Sequence, residues 1–358
     1  MAKKSTIFLN LLTLSPKKIE SIIRTLSDTE DIFNLSQNAL SQIPLLENKD
    51  TETIINVRNS GLLEKELECI QHEKIETVDI FDGSYPALLK EIACPPLVLY
   101  IKGDVKLLSE YIFAIVGSRI PTVYGLLSAR EFAMRLASCG LIIISGLARG
   151  IDSAAHKGAL EKGKTVAVLG SGLMNIYPKE NAGLAEEISR NGAVVSEFPL
   201  FEAPHKENFP RRNRIVSGLA HGVLVVEAAE RSGALITAHC ALEQNREVFA
   251  MPGKIDSPLS RGAHALIKEG AKLVDSVNDI MEELNIKFEN AETEKCAIKL
   301  QGDEAIVFDL IGTDGAYLEE IILKSKMAQS SINRIILNLQ LNGAISEIKP
   351  SYFARTKL

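Results

Sequence analysis

The sequence predicts an α/β protein: a doubly wound parallel sheet with a helical region before it and a small helical unit carrying a wing behind it. Three observations lead there. Between about residues 111 and 275, short apolar or β-branched runs alternate with amphipathic stretches of helical length. Residues 3–75 carry helical periodicity alone, and residues 303–358 carry three short helical patterns followed by an extended one. Strands buried on both faces read as unbroken apolar runs, and their alternation with helices implies βαβ units whose ligands bind beyond the carboxyl ends of the strands. The middle of the chain is thus expected to form an extended Rossmann-like sheet.

In the first region, amphipathic runs at Pro16–Leu26 and Leu62–His72 are separated by polar breaks at Ser27-Asp28 and at Glu47–Asp50, which reads as a small all-helical domain over residues 1–75. The Pro95-Pro96 pair precedes Leu97–Gly103, an extended segment that can join a sheet only at its edge or beyond its prolines. The expected sheet strands are Phe113–Val116, Leu141–Ile144, Val166–Leu169, Val194–Val195, Val223–Val226 and Glu247–Ala250. Between them, Gly125–Ser138, Ile151–Glu161, Lys179–Arg190, Arg212–Ala220 and Ala234–Gln244 have helical spacing. The sheet domain is drawn over residues 76–284, a polar linker over 285–302, and a winged-helix unit over 303–358, with helices at Glu304–Ile311, Tyr317–Lys326 and Gln329–Asn338 and one wing strand in Gly343–Ile348.

Composition narrows the function classes. The chain has 358 residues, 46% of them hydrophobic, enough for at least one large core. No apolar run reaches the length of a membrane span, and the apolar stretch near the start meets Asn10 too soon for a secretory signal, so a cytoplasmic protein is expected. The five cysteines lack C-x-x-C spacing and the histidines lack H-E-x-x-H spacing, so neither a disulfide framework nor a metal site is expected. The net charge of −6 opposes polyanions at long range, so nucleic-acid binding would need a focused local surface.

Lys206–Arg214, reading Lys-Glu-Asn-Phe-Pro-Arg-Arg-Asn-Arg, is such a surface. Lys206, Arg211, Arg212 and Arg214 against Glu207 leave a local excess of three positive charges around the Phe209 ring. Cations that follow phosphates and a ring that stacks on a base suit single-stranded nucleic acid. Clustered arginines also occur on solvated helix faces held by local ion pairs, and the segment alone does not separate the two.

Three predicted strands end in small residues: Gly117-Ser118-Arg119, Ser145-Gly146-Leu147-Ala148-Arg149-Gly150 and Gly170-Ser171-Gly172. In a parallel sheet these loops emerge on one edge beside helix starts whose N–H groups favour anions. Gly146, Gly170, Ser171 and Gly172, with Thr237 of the Ser232-Gly233-x-x-x-Thr237-Ala238 helix start, are expected to form a phosphate-receptive floor. Glu227, at its strand end, is a candidate to hold a sugar or phosphate, and packing is an equal reading for Thr237.

Other chemistry fits poorly. Gly170-Ser171-Gly172-Leu173-Met174-Asn175 lacks the third glycine of a dinucleotide fingerprint, so no cofactor is expected. Gly158–Thr165 has the spacing of a nucleoside-triphosphate loop, yet it closes a helix and enters a strand, the reverse of what that loop requires. Asp152 and His156 lie four apart on one helix, where Asp152 is better placed as a cap than as half of an acid–base pair. No G-x-S-x-G elbow supplies a nucleophile.

Gly117-Ser118-Arg119, Ser145-Gly146-x-Ala148-Arg149-Gly150-Ile151-Asp152, Tyr177-Pro178-x-x-Asn181, Phe209-Pro210-x-Arg212-Asn213-Arg214, Ser232-Gly233-x-x-x-Thr237-Ala238 and Pro252-Gly253 occur in this order. Together they resemble the DprA/Smf family of DNA-processing proteins over about residues 85–280. The resemblance implies a binding protein, not an enzyme, that binds single-stranded DNA taken up during natural transformation (competence), protects it and helps load the RecA recombinase. It implies a SAM-like module in front, a winged-helix module behind, and a homodimer through the later part of the sheet domain, with which the run Gly222–Ala229 is consistent, although a core strand explains that run equally. It places the DNA pocket on Ser118, Arg119, Lys206 and Phe209, with Arg212, Asn213 and Arg214 following, so the expected contact set is Gly117, Ser118, Arg119, Lys206, Phe209, Arg211, Arg212, Asn213 and Arg214. Arg212 and Arg214 have a second reading, as residues that hold the loop.

The helix expected over Gln329–Leu341 carries only Arg334 as a cation, too little for a duplex groove, so the terminal unit is expected to bind protein or be structural. The alternative function is a nucleotide N-glycosidase of the LOG or lysine-decarboxylase-like type. That class places a P-G-G-x-G-T-x-x-E loop at its active site, and Ser232–Ala238 is followed by no glutamate three residues after Thr237.

Overall fold

The computed structural model describes residues 1–286, 302–312, 315–341 and 344–355. The first region is helical as its periodicity requires: α1 (Lys4–Leu11), α2 (Pro16–Thr25), α3 (Gln37–Leu40), α4 (Asn48–Asn59) and α5 (Leu62–His72). Pro16 opens α2, where its missing N–H costs no hydrogen bond. These helices do not close a core of their own. Ile7, Phe8, Leu9 and Ile70 bury into one cluster with Val98, Tyr100, Leu169 and Val194 of the sheet region. Polar links cross the same seam: Asn10 Nδ2 donates to the Glu197 carbonyl (2.9 Å), and the Leu200 N–H donates to the buried Glu66 carboxylate (2.7 Å).

The sheet runs through β1 (Glu76–Asp79), α6 (Ala87–Lys90), β2 (Val98–Gly103), β3 (Ile112–Val116), α7 (Val123–Ser138), β4 (Ile142–Ser145), α8 (Ile151–Lys162), β5 (Thr165–Val168), α9 (Ala182–Asn191) and β6 (Ala193–Ser196). It continues with α10 (Asn208–Leu219), β7 (Gly222–Val225), α11 (Gly233–Glu243), β8 (Glu247–Ala250), α12 (Arg261–Lys268), β9 (Lys272–Leu273) and α13 (Val277–Glu283). The strand order is β1-β2-β6-β5-β4-β3-β7-β8-β9. Pairings from β6 through β9 are parallel, whereas β2 is antiparallel to both β1 and β6. The expected parallel sheet is therefore present with an antiparallel margin. β2 begins beyond its prolines, as expected, but lies second from the edge, because the polar segment Glu76–Asp79 pairs outside it.

From β3 the chain winds outward to β6, then returns to place β7 on the other side of β3. This reversal puts a switch point between β3 and β7, the position at which open α/β sheets hold ligands. Gly158 lies within α8 and Thr165 opens β5, the helix-to-strand direction that excludes a triphosphate loop. Gly222–Val225 is β7, buried between β3 and β8, so that part of the Gly222–Ala229 run is core strand and offers no dimer surface.

The last unit comprises α14 (Asp303–Ile311), β10 (Ala316–Tyr317), α15 (Leu318–Ser325), α16 (Gln329–Leu341), β11 (Ile345–Lys349) and β12 (Tyr352–Arg355). Its strands pair antiparallel in the order β10-β12-β11 over a core that includes Val307, Ile321, Leu339 and Phe353. Two strands, not one, thus follow α16. Most of the expected linker (287–301) and Gly343 lie outside the described residues.

Candidate nucleic-acid interface

At the switch point the loop after β3 is held from below by the end of β7. The Ser118 N–H donates to the Glu227 carbonyl (2.7 Å), and Thr122 donates its N–H (2.8 Å) and hydroxyl (2.5 Å) to the Glu227 carboxylate. Ser118 Oγ accepts the Ile120 N–H, and Thr122 Oγ1 caps α7 through the Gly125 N–H. The loop is fixed at both ends and projects Arg119 and Ile120 outward, Ile120 being 83% exposed. Glu227, a candidate to hold a sugar or phosphate, is instead committed to Thr122.

The loop after β4 is closed internally. Asp152 accepts the N–H groups of Gly146 (3.1 Å) and Ala148 (3.3 Å), while the Arg212 guanidinium donates to the carbonyls of Gly146 and Val168. Both side chains are buried. Burial pushes the Asp152 carboxyl up, against the pull of Arg212, and pushes Arg212 down to about 10, which leaves it a cation at neutral pH. A Cβ on Gly146 would stand 2.5 Å from the guanidinium carbon, which is why glycine occupies this position.

In the loop after β5, the Gly172 N–H donates to the Glu202 carbonyl (2.9 Å) and the Ser171 hydroxyl to the Asn175 carbonyl (2.7 Å). Of the residues expected to form a phosphate floor, Gly146, Ser171 and Gly172 direct these donors to partners inside the protein. Gly170 has a different task. A Cβ there would lie 2.8 Å from Phe209 Cδ1, so the missing side chain makes room for the ring. Thr237 is buried and lines the cleft wall.

The basic segment is the start of α10, one turn earlier than the helical spacing from Arg212 suggests, because Pro210 fits the first turn without loss of a bond. Its cations divide into two groups. Arg214 and Arg211 both turn to the buried Glu197, Arg214 in a close ion pair and Arg211 at 3.6 Å with its guanidinium over the Phe198 ring. Arg212 lies beneath the cleft, and Asn213 bonds to the Gly233 carbonyl (3.2 Å) and accepts from Arg212 Nε. Arg212 and Arg214, expected as DNA contacts, direct their guanidinium groups at carbonyl and carboxylate partners within the protein.

Arg119 and Lys206 differ. Both are exposed at the cleft, and neither pairs with a carboxylate among the described residues. The Arg119 guanidinium lies 5.5 Å from the Phe209 ring centroid. Tyr177 meets the same ring at 5.5 Å and 52° and is 44% exposed. Phe209, the expected base platform, is half-buried between Gly170 and these neighbours, and Tyr177 of the Tyr-Pro motif, which is not among the expected site residues, adds a second ring beside it. Gly117, Ser118, Arg119, Lys206, Phe209, Asn213 and Thr237 all border one cleft of about 780 Å³, whose further wall is Ser232–Ile236. Among the described residues no group of three or more His, Cys, Asp or Glu side chains is arranged to hold a metal.

Residues 76–285 match the family model of DNA recombination-mediator protein A. The chain is 43% identical to Protein Smf of Escherichia coli K12 over 277 residues, 75% of this chain and 74% of that protein. It resembles the solved structure of DNA processing protein A from Streptococcus pneumoniae with a TM-score of 0.69 and 38% identity, covering 79% of this chain and 98% of that one. DNA processing protein A from Helicobacter pylori, whose structure was determined for its single-stranded DNA binding mode, has a TM-score of 0.55 and 31% identity over 59% of this chain and 96% of its own. No helix among the described residues is long and apolar enough to cross a membrane.

Proposed function

The chain belongs to the DNA recombination-mediator protein A (DprA/Smf) family, and on that premise we propose that it is a single-stranded DNA-binding recombination mediator rather than an enzyme. In this reading it protects DNA taken up in transformation and helps load RecA onto it. One observation carries the DNA reading: of the cations gathered at the cleft, Arg119 and Lys206 alone are exposed without a carboxylate partner among the described residues, while Arg211, Arg212 and Arg214 are held by partners. Two such cations beside Tyr177 and Phe209 supply phosphate neutralisation and stacking in one place. Both interactions are indifferent to base identity, which suits a protein that must accept any incoming strand.

The test is a gel-shift series with single-stranded and duplex DNA at several salt concentrations, with and without RecA. Preference for the single strand and a steep salt dependence are expected, and Arg119→Ala with Lys206→Ala should weaken binding strongly. Unchanged single-strand affinity in that double variant would sink the site, and no stimulation of RecA-dependent strand exchange would sink the loading role.

The SAM-like identity of residues 1–75 and the winged-helix identity of residues 303–358 are part of the same proposal, the latter supported by three helices followed by an antiparallel pair. So is a homodimer through the later part of the sheet domain, for which the outermost strand β9 with Leu273 exposed is a suitable edge. Sedimentation at several protein concentrations checks it. The N-glycosidase reading gains no support, since Cys240 stands where its glutamate would be.

A further inference from the structure

The loops after β5 and β6 leave the sheet side by side, since these strands are parallel neighbours, and they are laced together beyond the strand ends. The Met174 N–H donates to the Leu200 carbonyl (3.0 Å) and Asn175 Nδ2 to the Phe201 carbonyl (2.7 Å). The first of these loops carries Tyr177, which touches Phe209 in the cleft. The second carries Phe201 and, five residues later, Lys206. A chain of contacts therefore leads from the cleft over Tyr177 to Phe201, and five residues of chain span at most roughly 17 Å.

Phe201 has no packing reason to be where it is. Its side chain is 45% exposed, on a loop whose other large apolar residues, Phe198 and Leu200, are buried. Across its ring, 5.0 Å from the centroid, lies the ammonium of Lys65, which α5 contributes from the helical region and which pairs with no carboxylate among the described residues. The arrangement repeats that of the cleft, where Arg119 lies over Phe209. Glu202, the nearest acidic neighbour in sequence, is turned toward His205 and Asn208.

We propose that Phe201 and Lys65 form a second subsite for single-stranded DNA, taking a nucleotide of the strand after it leaves the cleft, with Phe201 stacking on the base and Lys65 on the adjoining phosphate. The helical region then contributes to DNA binding directly. The subsite rests on the DNA reading of the cleft, and it makes binding length-dependent: a strand too short to leave the cleft cannot use it.

The experiment is fluorescence anisotropy on the full chain with labelled oligothymidylates of about 5 and about 20 nucleotides, lengths that bracket a single-strand site. Phe201→Ala is expected to weaken the longer oligonucleotide about tenfold and leave the shorter one unchanged. Lys65→Ala is expected to lower the salt slope for the longer one by about 0.7. Phe201→Trp should retain affinity, whereas Phe201→Leu, which keeps the apolar volume without an aromatic face, should behave as alanine and separates stacking from folding. Arg119→Ala with Lys206→Ala should weaken both lengths. Equal affinity of wild type and the Phe201 and Lys65 variants at both lengths, or equal loss at both, overturns the subsite, including the case in which this patch serves a protein partner. Absence of wild-type binding at either length overturns the cleft reading, and the subsite with it.

Discussion

The Glu227 carboxylate accepts both the N–H and the hydroxyl of Thr122, so the end of one central strand sets the shape of the loop that follows its neighbour. Arg119 lies three residues before Thr122 and depends on that brace. Glu227→Ala leaves two donors without their partner and is expected to cost about 1–3 kcal/mol of stability. Single-strand affinity should also fall although Glu227 does not border the cleft. Glu227→Gln, which keeps an acceptor, should fall between the two. Thermal melting and anisotropy on the same variants check both effects.

The division of the basic segment predicts opposite phenotypes for adjacent arginines. Arg214→Ala removes the closer of the two cations on Glu197, which is 7% exposed and would keep only Arg211 at 3.6 Å, and is expected to cost about 1–3 kcal/mol. Arg119→Ala and Lys206→Ala touch no such partner and should leave the melting temperature within error. Together these two should lower the salt slope of binding by about 1.4, roughly 0.7 for each phosphate no longer neutralised. Denaturant titration and salt-dependent anisotropy separate the two classes.

Gly170 and Phe209 form a pair in which one residue's lack of a side chain accommodates the other's ring. Gly170→Ala should displace Phe209, cost about 1–3 kcal/mol through overpacking, and weaken DNA binding. In a Phe209→Ala background the same substitution should cost little, because the clash is gone. A double-mutant cycle measures the difference.

His156 is fully buried, and its Nδ1 lies 2.7 Å from Thr165 Oγ1, whose own hydroxyl proton goes to the Ile143 carbonyl. The imidazole must therefore be the donor at Nδ1. Burial, with Arg212 adding to it, holds the imidazole down to about 3. The unfolded chain then binds a proton below about pH 6.5 that the folded chain refuses until about pH 3, so stability falls as pH falls through that window. A loss of about 2 kcal/mol between pH 7 and pH 5 is expected from this group. His156→Gln should remove that part of the pH dependence, as read from urea midpoints at the two pH values.

The sheet was legible where its strands are buried on both faces, because such strands are mostly apolar: β3 to β8 each carry an apolar run, with polar residues confined to strand ends such as Ser145, Thr165, Ser196 and Glu247. β1 reads Glu-Thr-Val-Asp and β9 is two exposed residues, so margin strands carry no such signal. At the site, Arg119, Lys206 and Phe209 were legible from residue type and from the reach of parallel-sheet loops. What sequence could not show is which cations are spoken for. Arg212 is taken up by the carbonyls of Gly146 and Val168, and Arg214 by Glu197, and these pairings exist only once α10 has docked. The same holds for the expected anion floor: glycine loops advertise N–H groups, but Asp152 and the Glu202 carbonyl accept those of Gly146 and Gly172.

The seam between the leading helices and the sheet has a thermodynamic consequence. Phe8 and Ile70 are buried against Tyr100 and Val194, so neither side can melt without exposing apolar area on the other. Residues 1–286 are expected to lose structure as one cooperative unit, with a single calorimetric transition whose van't Hoff and measured enthalpies agree. Cutting the chain after residue 75 would then leave the remainder with a naked apolar face and a strong tendency to associate, even though the sheet itself would be complete.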